Sequence, residues 1–169
     1  MTAMTTSRSA AVTLPTDEQI LITREFDAPK HLVYKAWTTP ELVRRFWHAN
    51  RGEMTVAEID LRVGGKWRYV MVANDGGFEV GFHGEYREIV PDERIVSTEV
   101  YEGVPQPEGE PEQGTLNTAT FTEADGRTTL TVLVHAPSKE IRDAIIDSGM
   151  EDGMQDAMDL LEQVAISLR

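Results

Sequence analysis

The side chains able to do acid–base chemistry here are four histidines and a few closely spaced carboxylates. Glu58 and Asp60 stand two apart in a stretch that reads as a strand, so both point to one face. Paired carboxylates move protons when their surroundings push their pKa values apart. The plainer use of such a pair is a solvated face with ion pairs to Arg62, Arg68 or Arg87, and Asp60 can also brace the turn at Gly64-Gly65. His48 follows Trp47 at the end of a predicted helix. His83 lies in a long predicted strand, on the same face as Gly81, Glu85 and Arg87. A histidine serves as a general base only within hydrogen-bond reach of the proton it takes. His48 and His83 are the better candidates, while His31 and His135 fall at the periphery.

Other chemistries are excluded by residue type or spacing. There is no cysteine, so disulfides, thiolate metal sites and cysteine nucleophiles are ruled out. No Gly-x-Ser-x-Gly elbow offers an activated serine. No His-x-x-x-His or His-x-His spacing marks a metal site. Gly64-Gly65 and Gly76-Gly77 read as hairpin turns between strands. They do not open helices, so they are not phosphate loops. The expectation is therefore no metal and no cofactor. The net charge of −13 repels phosphate backbones and argues against nucleic acid. No apolar run approaches the roughly 18 residues of a membrane helix, and the N-terminus lacks the apolar core of a secretory signal. With the absence of cysteine, these features fit a cytoplasmic protein.

The elements that must position these residues follow from periodicity. Met150, Met154, Ala157, Met158, Leu161, Val164, Ala165 and Leu168 recur at spacings of three and four, which is one face of a long helix over 148–168. Ser148 followed by Glu151 has the form of a capping box. Such an apolar face needs a sheet to lie on, and most of the preceding chain alternates as strands. Strands are predicted at 20–26, 53–61, 66–73, 78–90, 94–102, 115–122 and 128–136, with Gly81 and Gly84 suggesting a bend or bulge in the long one. Two short helices follow the first strand, one after Asp27-Ala28-Pro29 and one after Thr39-Pro40-Glu41, where the threonine is a candidate cap. A further helical segment starts at Ser138. Residues 1–19 carry no periodicity and read as a disordered tail. The stretch 103–114, with Pro105, Pro107, Pro111, Glu108, Glu110 and Glu112, reads as a mobile acidic loop. The fold class expected is α+β: a curved antiparallel sheet of six to seven strands wrapped on a C-terminal helix.

Several segments in this order resemble a known family. They are Phe26-Asp27-Ala28-Pro29 before Val33-Tyr34-Lys35-Ala36-Trp37, and Thr39-Pro40-Glu41-Leu42 before Phe46-Trp47. They continue with 60–69, 84–95 and the helix entry 148–154. Together they resemble the helix-grip fold of the START-like or SRPBCC superfamily. The resemblance is closest to its bacterial AHSA-type branch, homologous to a domain of the activator of the heat-shock chaperone ATPase. It covers residues 20–168 and implies one helix-grip domain over 20–169. It departs at Met150 and Met154, where many relatives carry tryptophan.

The resemblance implies a cavity between sheet and last helix. Its candidate lining is Trp37, Trp47, Trp67, Tyr69, Met71, Phe82, Tyr86, Thr98, Phe121, Met150, Met154 and Met158. Methionine adapts its shape to variable ligands, although methionines at helical spacing equally well fill a core. One fold hosts lipid binders, aromatases and cyclases, and co-chaperone domains, so three functions stay open. The first is binding of a small apolar or aromatic molecule. The second is a cyclase, aromatase or hydrolase in which Glu85, His83, Glu99 or His48 moves protons. The third is an interaction domain whose acidic loop or outer sheet face meets a protein partner or a second copy of the chain, forming a homodimer.

Overall fold

A computed structural model describes residues 10–103, 109 and 114–169. Eight strands form one antiparallel sheet: β1 (Ala11–Thr13), β2 (Gln19–Phe26), β3 (Gly52–Ile59), β4 (Lys66–Ala73), β5 (Glu79–Val90), β6 (Arg94–Tyr101), β7 (Thr115–Ala124) and β8 (Arg127–His135). Their spatial order is β1-β2-β8-β7-β6-β5-β4-β3. Helices α1 (Lys30–Thr38) and α2 (Pro40–Val43) follow β2, and α3 (Lys139–Asp147) and α4 (Met150–Ser167) end the chain. The α+β helix-grip architecture expected from the sequence is present, with one more strand than the upper count. The added strand is β1. It pairs Ala11 with Thr23 and Thr13 with Leu21, so part of the stretch read as a tail belongs to the sheet.

The core lies between the sheet and α4. Alternation places Ile20 and Ile22 of β2, Leu130, Val132 and Val134 of β8, Ala119 and Phe121 of β7 and Ile95 of β6 on one face. That face packs against Met158, Leu161, Val164 and Ala165 of α4, all buried. Burying such side chains stabilises a domain by about 1.5–3 kcal/mol each, and this outweighs the mediocre helix propensity of a segment containing Gly153.

Two expected caps are corrected. Ser148 does not start α4. It ends α3, its Oγ donating to Ile145 O, and Gly149 follows with φ of 81°. A glycine in the left-handed region just past a helix end is a common stop signal, and here it also sets the turn into α4. Thr39 does not cap α2, because its Oγ1 donates back to Lys35 O at 2.6 Å. The second helix is also shorter than read. After Val43 the chain continues to Asn50 in tight turns, with Ala49 and Asn50 at positive φ.

The bulge in β5 falls between Tyr86 and Glu88, not at the glycines. Gly84 serves a close approach instead. A Cβ there would sit 1.8 Å from Thr98 O and 2.6 Å from Trp67 Nε1.

Candidate functional site

The register of the four central strands decides which side chains meet under α4. Trp67 of β4 pairs with Gly84 of β5, and Tyr69 with Phe82. Phe82 pairs in turn with Tyr101 of β6, and Tyr86 with Ser97. Ser97 pairs with Asn117 of β7, and Glu99 with Thr115. Side chains at these positions share the face that packs on the helix.

Aromatic rings run across that face. Trp67 and Tyr69 have ring centroids 4.8 Å apart, Trp47 meets Tyr69 at 5.6 Å and Phe82 at 5.7 Å, and Phe82 meets Tyr101 at 5.1 Å. A second group joins Trp37 to Phe46 and Phe121, both at 6.3 Å. Apart from the stacked Trp37–Phe46 pair, these are edge and tilted contacts, and edge-to-face and offset-stacked arrangements are the ones aromatic quadrupoles favour.

The sequence-derived lining residues therefore divide. Trp67, Tyr86, Phe121 and Met158 are closed into the core. Trp37, Trp47, Tyr69, Phe82, Met150 and Met154 are half-buried against it. Met71, paired with Met54 and Val80, shares their face. Thr98 does not belong to the group. It pairs with Leu116 on the outer face, and its Oγ1 accepts a hydrogen bond from Glu85 N at 2.9 Å. The phase of β6 is the reason: Ser97 and Glu99 face the helix, so Thr98 and Val100 face away.

Glu99 carries the polar chemistry of the inner face. Its Oε1 accepts from Asn117 Nδ2 at 3.2 Å, and Asn117 Oδ1 accepts from Thr115 Oγ1 at 2.8 Å. Burial raises the Glu99 carboxyl above its ordinary pKa, against the opposing effect of the Asn117 hydrogen bond. Burial also raises the Tyr69 phenol well above its usual value, with smaller contributions from Tyr86 and Glu99. The Tyr86 phenol is raised by burial, then by Tyr34 and Asp60. Yet Tyr69 and Glu99 keep accessible surface. Both are half-buried on the inner face and not closed into the core.

The other proton-moving candidates lie elsewhere. His83 and Glu85 are on the outer face. His83 Nδ1 lies 2.8 Å from Glu102 Oε2, and Arg68 grips the same carboxylate with two bonds of 2.9 Å. The hydrogen bond from Arg68, helped by His83, holds the Glu102 carboxyl down at about 2. Glu85 pairs with Arg87 at 3.1 Å and Lys66 at 3.8 Å. His48 spends its Nδ1 on the backbone N–H of Asn50 at 2.9 Å. Glu58 and Asp60 do not act as a pair, since Asp60 binds Arg62 at 2.9 Å and both carboxylates are exposed. Among the described residues no three His, Asp or Glu side chains converge to hold a metal, and no helix is long and apolar enough to cross a membrane.

An outer-face groove of about 620 Å³ runs past Lys66, Arg68, His83, Glu85, Thr98 and Leu116. Most of its charged walls are engaged in ion pairs: Arg68 and His83 with Glu102, and Lys66 and Arg87 with Glu85. The half-buried aromatic rings on the inner face are the more discriminating feature. The acidic glutamates Glu108, Glu110 and Glu112 lie outside the described residues.

Two features were not read from the sequence. Arg24, buried on β2, holds Asp159 and Glu162 of α4. Gln155 of α4 pairs its side-chain amide with Ala10, donating to its O and accepting from its N, both at 2.8 Å. A charged residue in phase with Ile20, Ile22 and Phe26, the buried side of the strand, was the available signal for the first.

An antiparallel sheet closed by a C-terminal helix, with aromatic rings packed between them, defines a helix-grip protein of the SRPBCC type. Within that class the chain belongs to the family described as activator of Hsp90 ATPase homolog 1-like protein, whose family model matches residues 27–165. Solved structures of the same fold include a Rhodobacter sphaeroides protein with TM-score 0.83 and 24% identity, covering 95% of this chain and 99% of that one. A Mycobacterium smegmatis protein gives 0.81 and 23%, with the same coverage. An AHSA1-like protein from Aeromonas hydrophila gives 0.62 and 20%, covering 88% and 93%. No curated protein matches the chain.

Proposed function

We propose that this protein is a binding module for a small apolar or aromatic molecule held between the sheet and α4. The observation that carries this reading is that Tyr69 and Glu99 are half-buried on the inner face beside the half-buried Trp47, Phe82, Met150 and Met154, which together would line a hollow under α4. An apolar concavity with a few fixed polar groups is the usual form of a small-molecule site. Met150 and Met154 give that site an adjustable roof.

The test is thermal unfolding against a panel of one- and two-ring aromatic compounds. A ligand present at 100 times its Kd stabilises by about 2.7 kcal/mol, which moves the midpoint by a few degrees. A panel that leaves the midpoint unmoved at saturating concentrations would reject the reading.

Glu99 favours one second reading, an enzyme of the cyclase, aromatase or hydrolase kind in the same hollow. A carboxyl that keeps its proton to higher pH is the form a general acid needs. There Glu99→Gln abolishes turnover while ligand binding persists.

A further inference from the structure

The inner face presents more polar atoms than its own hydrogen bonds use. Among the described residues, the phenol oxygens of Tyr69 and Tyr86 have no hydrogen-bond partner, and Glu99 uses only Oε1, on Asn117. Tyr86 is 5% exposed. A buried polar atom left unpaired, as the Tyr86 oxygen is, is costly and rare in native proteins, and a ligand over the half-buried Tyr69 and Glu99 would cover theirs as well. These three do not scatter. They stand on one face of neighbouring strands: Tyr69 pairs across the ladder with Phe82, and Tyr86 with Ser97, two residues before Glu99. Asn117, itself held by the hydrogen bond it accepts from Thr115, donates one amide hydrogen to Glu99 and so orients the carboxyl.

We propose that the hollow recognises a small aromatic molecule through a hydroxyl group, which Glu99 Oε2 and the oxygens of Tyr69 and Tyr86 receive. This rests on the reading of the hollow as a ligand site and names the ligand's chemistry. A hydroxyl both donates and accepts. It therefore matches a carboxyl in either protonation state and phenols that can turn either way. A cationic amine would match only the ionised carboxylate, which burial at this position disfavours. A purely apolar ligand would bury the three oxygens without relieving them.

The test compares 2-naphthol with 2-methylnaphthalene, which exchange a hydroxyl for a methyl at nearly constant shape. Affinities come from backbone amide shifts in NMR titrations. The wild type is expected to prefer 2-naphthol by about tenfold, the worth of one good hydrogen bond to a buried polar group. Glu99→Leu is expected to abolish or reverse that preference while still binding 2-methylnaphthalene. Tyr69→Phe, which removes one oxygen and almost no volume, should reduce the preference several-fold and decides the matter if Glu99→Leu does not fold. Equal affinities in the wild type would overturn hydroxyl recognition and leave the binding module standing. Binding of neither compound would overturn both. A preference that survives in Glu99→Leu and in Tyr69→Phe would remove these side chains from the site.

Discussion

Arg24 Nη1 donates to Asp159 Oδ1 at 2.8 Å, joining the second strand of the sheet to the last helix. The guanidinium is almost wholly buried, lies 5.2 Å from the Phe26 ring centroid and also reaches Glu162 Oε1 at 3.1 Å. Glu162 extends the clasp by accepting from Asp27 N at 2.9 Å. The two carboxylates differ in setting: the Asp159 side chain is 65% exposed and that of Glu162 only 14%. Removing the shared cation leaves a shielded carboxylate without its charge partner. Arg24→Met should therefore cost about 3 kcal/mol in urea unfolding. Asp159→Asn should cost less than about 1 kcal/mol, because an exposed ion pair is worth little. Equal losses in both variants would show that the clasp is a surface contact.

The Arg68–Glu102–His83 cluster on the outer face has the opposite burial and a clear pH signature. Its carboxylate is held at about 2, below the ordinary value near 4.5. The ionised form is thus favoured by folding. The stabilisation is complete above the ordinary value and is lost as pH falls from there toward 2. After allowance for solvent screening it amounts to about 1 kcal/mol. Glu102→Gln should flatten this acid limb between pH 5 and pH 2, as followed by denaturant midpoints. An unchanged limb would mean that Arg68 and His83 do not hold the carboxylate in solution.

Glu99 should behave in the reverse sense. Its folded pKa is raised, so the protonated form is the one that folding favours. Stability from this group is present at low pH and is lost as pH rises through the folded value. Glu99→Gln, neutral throughout, should be more stable than the wild type at pH 7.5, with the gap narrowing by pH 4. A gap independent of pH would place the carboxyl in water.

Gly84 is a packing requirement of the same region. Trp67 Nε1 donates to Thr98 O at 3.2 Å across the space that a side chain would fill. Gly84→Ala forces a methyl group into backbone and indole together. The expected loss is about 3 kcal/mol or more, with a shift in tryptophan emission as the indole loses its partner. Near-neutral stability would show that β5 and β6 can separate locally.

How far the sequence could be read varies with the element, for physical reasons. The alternation of Trp67, Tyr69 and Met71 marked β4 at the boundaries found, Lys66–Ala73. In β6 the pattern misleads, because Ile95, Val96 and Val100 are all buried while Ser97 and Glu99 take the inner face. The phase of that strand is set by its neighbours and by the bulge at Tyr86 and Glu88, neither of which is a local property. That is why the sequence pattern points to Thr98 as a lining residue, where the register instead puts Ser97 and Glu99 on the inner face. The strand β1 is three residues long and depends on β2 and on Gln155 for its place. The capping box failed because Ser148 and Gly149 close α3 before they can open α4.

The roof of the hollow gives the most direct test of whether there is space beneath it. Met154 is half-buried on the first turns of α4, and Gly153 beside it has no heavy atom within 4 Å of where a Cβ would lie. If the methionines filled a close-packed core, Met154→Trp would overpack it and cost about 1–3 kcal/mol. A hollow accepts the larger ring with little cost, within about 1 kcal/mol of the wild type, since the indole gains contacts that methionine lacks. The same ring then occupies the ligand's place, so the thermal shift given by any aromatic ligand of the wild type should disappear. Retained stability with a lost shift identifies an adaptable ligand cavity. Lost stability identifies a filled core, and with it the failure of the binding reading.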